Sequence, residues 1–159
     1  MVTIEDVTTG AHCAGLAGLP IVVHSSLRSF GFVDGGADTV IDGLLESGCT
    51  VVVPTFTYDF RLQPPSGQRL ARNGWRYDDT LLGSRSDVFS PVRNYISPEM
   101  GAIPSALLRR SNRTRSSHPA NSMTAVGPLA NEIIDTQTYL EVYGPFQKIA
   151  ELGGKFVLM

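Results

Sequence analysis

One stretch constrains the fold more than any other: Ile21-Val22-Val23-His24-Ser25-Ser26-Leu27-Arg28-Ser29-Phe30-Gly31. A short apolar run of β-branched residues stops abruptly at hydroxyls and one arginine, as a buried strand does where it leaves a sheet. A helix is predicted from about 38 to 47. Asp38 or Thr39 caps it, Val40, Ile41, Leu44 and Leu45 form its apolar stripe, and Gly48 ends it. A second apolar run, Cys49-Thr50-Val51-Val52-Val53, follows at once and stops at Pro54. Strand, helix and strand in so few residues form a parallel pair with a right-handed crossover. Open α/β sheets of this kind place ligands outside the carboxyl ends of their strands, where Ser25 to Ser29 fall. That loop reads either as an anion site or as a polar turn with capping serines. It is neither a Walker loop nor a dinucleotide fingerprint.

Before this unit, Thr3 and Asp6 offer the cap of a short helix, which Gly10 and Gly15 weaken. After it the pattern breaks down. Residues 59–97 hold Pro64-Pro65, six arginines, Trp75, Tyr77 and the acids Asp78, Asp79 and Asp87, with poor periodicity. This reads as an irregular insertion facing substrate or acting as a lid. Ser97-Pro98-Glu99 starts a helix with Ser97 as cap, and Pro104 should kink or restart it. A strand follows at 122–126, then helices opened by Gly127-Pro128 and Gly144-Pro145, the latter ending at Gly153-Gly154. Phe156 to Met159 reads as the start of a further buried strand, with nothing after it to build a loop. We therefore expect one domain over 1–159, incomplete at its carboxyl end.

The length suffices to bury about two-thirds of the unfolded surface. A formal net charge of −2 gives no reason to expect nucleic acid or an anionic membrane. Any anion site must be local. Cys13 and Cys49 lack metal-ligand spacing and read as reduced thiols of a cytoplasmic protein. No secretory leader is apparent, and no run approaches the roughly 18 apolar residues of a membrane helix. The three histidines show no paired ligand spacing and no Gly-x-Ser-x-Gly elbow is present. Metal hydrolase and Ser–His hydrolase chemistry are thus disfavoured.

Taken together, several motifs resemble the aminoglycoside N3-acetyltransferase (antibiotic N-acetyltransferase) family. They are Val23 to Gly31, Gly35-Gly36-Ala37-Asp38-Thr39-Val40-Ile41, Val53-Pro54-Thr55-Phe56-Thr57-Tyr58 and Ser97-Pro98-Glu99-Met100-Gly101. Arg115-Ser116-Ser117-His118-Pro119-Ala120-Asn121-Ser122, Ala125-Val126-Gly127 and Tyr143-Gly144-Pro145-Phe146-Gln147-Lys148 continue the match in order. Phe146-Gln147 stands where the family usually has Ser-Pro. The resemblance covers the N-terminal three-fifths of such an enzyme. The part beyond would carry a second histidine and an acidic residue near the acceptor amine.

The resemblance implies an α/β fold with a parallel or mixed sheet and flanking helices, unlike the GNAT fold. It implies acetyl transfer from acetyl-CoA to the 3-amino group of an aminoglycoside, by direct transfer with a general base and without a metal. Ser25, Ser26, Leu27, Arg28 and Ser29 would hold the pantetheine and phosphates, joined by Arg115 and Ser116. Thr55 and Thr57 would lie on the cofactor side, and His118 is the candidate for acid–base work. Asp59, Asp78, Asp79 and Glu99 are candidates for meeting the cationic acceptor. Three readings stay open: an active transferase conferring antibiotic resistance, an inactive relative that binds coenzyme A, and an interaction fragment that self-associates through an uncovered sheet edge.

Overall fold

The computed structural model describes residues 1–61, 66–69 and 87–159. Five strands form a mixed sheet: β1 (Pro20–His24), β2 (Thr50–Pro54), β3 (Thr114–Arg115), β4 (Met123–Val126) and β5 (Lys155–Leu158), in the order β3-β4-β2-β1-β5. β1 pairs in parallel with β2 (Val22 opposite Val52) and with β5 (His24 opposite Leu158). β4 is antiparallel to both β2 and β3. The expected βαβ unit is present, with helix Ala37–Glu46 between β1 and β2.

Alternation along the strands divides the core into two layers. Ile21, Val23, Val51 and Val53 face one side. They pack under α1 (Ile4–Cys13), α2 (Ala37–Glu46) and α3 (Ala102–Leu108) through Val7, Ile41, Leu44, Ile103 and Leu107. Val22, Val52, Met123 and Ala125 face the other side and meet Ile133 and Ile149 of α4 (Ala130–Ile134) and α5 (Gly144–Glu151). Each such aliphatic side chain contributes about 1.5–3 kcal/mol when fully buried. A buried sheet covered on both faces explains why β1 and β2 read as continuous apolar runs rather than as alternating ones.

The local signals held where the backbone satisfied them. Thr3 and Asp6 close a reciprocal capping box on α1. Three expectations change. α2 is not capped by Asp38 or Thr39: its cap is Gly36, and the Thr39 hydroxyl donates instead to the Asp34 carbonyl. Ser97 holds the N-cap position of a short 3-10 turn, but its side chain caps nothing there; its Oγ accepts the Tyr58 N–H at 2.8 Å. A 3-10 turn occupies Pro98–Met100, and the chain restarts as α3 at Gly101, so Pro104 falls in the first turn, where a missing N–H costs nothing. Finally, β5 is a strand but not a buried one: it lies at the outer edge, with Phe156 55% and Leu158 83% exposed.

α3 is tied to α2 by Arg110, which bonds Asp42 at 2.6 Å and Asp38 at 2.8 Å. Both cysteines are free, Cys49 buried and Cys13 exposed. Among the described residues no helix is long and apolar enough to cross a membrane.

Candidate functional site

Strand direction gathers the chemistry at one edge of the sheet. β1, β2 and β5 run in parallel, so His24, Pro54 and Leu158 end together. Antiparallel β4 begins at the same edge, with Met123 opposite Pro54, and β3 ends there at Arg115. The loops that follow β1, β2 and β3 therefore share one rim, which is where an open α/β sheet binds ligands.

The first loop has the character predicted for it. Leu27 is half-buried and packs on the core, anchoring a 3-10 turn at Leu27–Phe30. Ser26, Arg28 and Ser29 are exposed. The Ser25 Oγ is covered yet has no hydrogen-bond partner among the described residues. The Ser26 N–H donates to the Met159 carbonyl at 2.7 Å. A few residues on, α2 opens with no side chain on its first amides, since its cap is a glycine. An orphan hydroxyl, an exposed guanidinium and an uncapped helix start suit an anionic ligand.

Arg115 and Ser116 do not join that group. The Arg115 guanidinium is buried and donates to Thr55 O (3.0 Å), Tyr95 O (2.9 Å), Arg93 O (2.8 Å) and Ser122 Oγ (3.1 Å), with its carbon 5.0 Å from the Phe89 ring centre. Burial pushes its pKa down to about 10, so it stays a cation at neutral pH. Ser116 is buried too, and its Oγ accepts the Met123 N–H at 2.8 Å. Thr55 and Thr57 are likewise fully buried: Thr55 Oγ1 lies 2.9 Å from Thr124 Oγ1, and Thr57 donates to Pro119 O. These residues clamp the rim loops to one another. Their donors are already committed to acceptors of the protein.

Beside this clamp lies a cleft of about 330 Å³. Two carboxylates, Asp59 and Asp87, and three aromatic rings, Phe60, Phe89 and Tyr139, line it together with Ser117 and Pro119. Asp59 accepts the Tyr95 hydroxyl, and Asp87 pairs with Arg93 at 2.7 Å across an exposed contact. Carboxylates beside ring faces suit a polycationic aminosugar, whose ammonium groups and C–H faces need each in turn. Asp59 was legible as a candidate. Glu99 is exposed on the turn after Ser97 and does not line the cleft. Asp78 and Asp79, like Trp75 and Tyr77, lie outside the described residues. Phe89 and Tyr139 were missed, because a lone aromatic in a loop carries no periodic signal.

His118 sits between the two cleft residues Ser117 and Pro119, half-buried, with the Tyr139 ring 5.9 Å away and tilted by 43°. Its Nδ1 accepts the Asn121 N–H at 3.0 Å. Burial lowers its pKa, only partly offset by a bond to its own backbone. A lowered folded value has a defined consequence. Near and below pH 6.5, the ordinary imidazole value, the unfolded chain binds the proton more readily than the folded one. Stability therefore falls as pH drops through that range and levels off below the folded value. Urea midpoints for His118→Gln should show a shallower loss between pH 7 and pH 5 than the parent; an identical slope would assign the loss to other groups.

The architecture and the rim define the class: a helix-flanked mixed α/β fold whose polar loops gather at the carboxyl ends of its parallel strands. The comparison with known proteins narrows this. The chain belongs to the aminoglycoside 3-N-acetyltransferase family, whose model matches residues 22–159. It is 31% identical over 146 residues to aminoglycoside N(3)-acetyltransferase VIII of Streptomyces fradiae, covering 87% of this chain and 47% of that protein. To aminoglycoside N(3)-acetyltransferase III of Serratia marcescens it is 29% identical, over 100% of this chain and 59% of that one. The structure superposes on aminoglycoside acetyltransferase AAC(3)-Xa with a TM-score of 0.78 at 28% identity, over 99% of this chain and 56% of that chain. On AAC-IIIb in its binary complex with CoASH the TM-score is 0.77 at 25% identity, over 99% and 59%. The chain thus spans about half the length of the relatives it matches.

Proposed function

We propose that this protein transfers an acetyl group from acetyl-CoA to the 3-amino group of an aminoglycoside. The observation that carries the reading is the rim itself. A polar loop with an orphan hydroxyl and a free-standing arginine lies on the same sheet edge as a carboxylate-lined, aromatic cleft flanking His118. Family membership and the coenzyme A complex of AAC-IIIb support it.

In this reading Ser25, Ser29, Arg28 and the first amides of α2 hold the phosphates and pantetheine, with Ser26 and Leu27 lending backbone. Coenzyme A supplies an activated thioester; the protein supplies placement. Asp59 and Asp87 draw the ammonium groups of the acceptor into the cleft and hold the sugar against Phe89 and Tyr139. Acetyl transfer needs an unprotonated amine within reach of the carbonyl carbon, and fixed positioning of the two substrates is the larger part of the acceleration. A second reading, coenzyme A binding without turnover, needs only the loop after β1 and the start of α2, where the covered Ser25 hydroxyl has no partner among the described residues.

Calorimetric titration with acetyl-CoA, followed by release of free thiol on adding gentamicin, separates the two. We expect one-to-one binding, and Arg28→Ala should weaken it about tenfold, the value of one charge-assisted contact. Thiol release would establish the transferase, and binding without release the second reading. Failure to bind coenzyme A at all would overturn both.

A further inference from the structure

The role of a proton acceptor conflicts with how His118 is held. A backbone amide can only donate, so the Nδ1 that faces the Asn121 N–H at 3.0 Å carries no proton. Neutral imidazole has one N–H, which must then lie on Nε2. The amide cannot easily turn away. Thr57 N–H donates to Ala120 O at 3.0 Å, Thr55 N–H to Ser122 O at 2.9 Å, and the Gln137 amide to Asn121 O at 2.9 Å. The loop is pinned on both sides of Asn121. Moving the proton to Nδ1 would set two donors against each other in a half-buried place, with only a bond to the residue's own carbonyl in exchange.

From this geometry we infer that His118 acts as a neutral Nε2–H hydrogen-bond donor to the thioester carbonyl oxygen, and is not the base that deprotonates the amine. The inference rests on the acetyl-transfer reading. Its lowered affinity for a proton agrees: the ring stays neutral at working pH, and a neutral ring already protonated on Nε2 has nothing with which to accept. The unprotonated amine attacks the carbonyl carbon, forming C–N, while the π pair moves onto oxygen and the Nε2–H bond strengthens. Collapse restores C=O and breaks C–S, the pair leaving on sulfur. The surplus proton of the nitrogen passes through water to that sulfur, giving amide and free coenzyme A thiol. The His118 proton never leaves, because imidazolate is far too basic to form. Tyr139, tilted against the ring, limits its rotation and serves as a positioning residue.

The test is long-range proton–nitrogen NMR on the full chain with ¹⁵N-labelled histidine, His118→Gln identifying the signal among three histidines. We expect the Nε2–H tautomer at pH 7. Acetyl-CoA should move that N–H proton downfield, whereas coenzyme A, which lacks the carbonyl, should not. An Nδ1–H tautomer would overturn the inference. So would calorimetric binding of acetyl-CoA that leaves the signal where it was. Binding of neither compound would instead remove the acetyl-transfer reading itself, and the donor role with it. If thiol is released, His118→Gln, which keeps a donor, should fall about tenfold with an unchanged pH profile, and His118→Ala about 10²–10³-fold. Equal loss in both variants, or a changed profile in His118→Gln, would restore the base.

Discussion

Arg115→Met is expected to destabilise the protein by roughly 3 kcal/mol. The guanidinium serves four acceptors, in three separate segments of the rim: Thr55 O, Arg93 O with Tyr95 O, and Ser122 Oγ. Methionine fills much of the volume but donates to none of them. Each buried acceptor left without a donor costs about 1–3 kcal/mol. The opposing gain is real, because the cation itself is costly to bury, as its pKa of about 10 records. Thr55 O would keep the Ser122 hydroxyl at 2.7 Å, but Arg93 O and Tyr95 O would lose the guanidinium, and those two losses outweigh that gain. Arg115→Lys should recover only part, because an ammonium cannot span acceptors arranged around a planar fork. Urea unfolding of the three proteins measures this. A midpoint for Arg115→Met within experimental error of the parent would mean that water takes the place of the guanidinium. The clamp also fixes Phe89 and the loop that bears His118, so on the proposed acetyl-transfer reading the methionine variant should lose acceptor binding before it unfolds.

The second large effect is expected at Gly127, between β4 and α4. Its φ of +129° is disfavoured for any other residue. A Cβ there would come 2.7 Å from Thr50 Cα and 2.9 Å from Cys49 O. Both are backbone atoms at the start of a central strand, so neither can yield without moving the sheet. Gly127→Ala should cost about 4 kcal/mol, combining conformational strain with overpacking. For a domain of this size that is a fall in Tm of about 8–16 °C. Gly153→Ala separates the two causes. Its φ is +72°, and a Cβ there meets nothing within 4 Å. It should lose about 1 kcal/mol, from strain alone. Similar losses at both sites would show that the contact with Thr50 relaxes.

The rim illustrates how far local sequence carries. Ile21 to His24 and Thr50 to Val53 are apolar enough, and spaced closely enough around one amphipathic helix, to dictate a parallel pair and so the place of the ligand edge. The polar character of Ser25 to Ser29 at that edge was equally plain, and Asp59, standing just past β2, was a visible candidate. Arg115 was visible as a residue but not in its role. An arginine beside serines before His-Pro looks the same whether it faces a phosphate or the carbonyls of its own chain. Only the arrival of Thr55, Arg93 and Tyr95 around it decides, and those partners lie 20 to 60 residues away. Phe89 and Tyr139 reach the cleft from two further segments by the same route.

The sequence by itself determined the βαβ frame, the two-sided burial of its strands, the capping box at Thr3 and the polar loop after β1. Each of these is set by hydrophobic period, cap chemistry or chain stiffness within a dozen residues. Tertiary structure alone decided that β4 runs against β2, that β5 lies exposed at the edge, that Arg115 is a clamp, and that the Asn121 amide faces His118 Nδ1. Hydrogen-bond donors are interchangeable along a chain. Which acceptor each one meets is fixed only when distant segments pack, and the protonation state of the imidazole follows from that meeting.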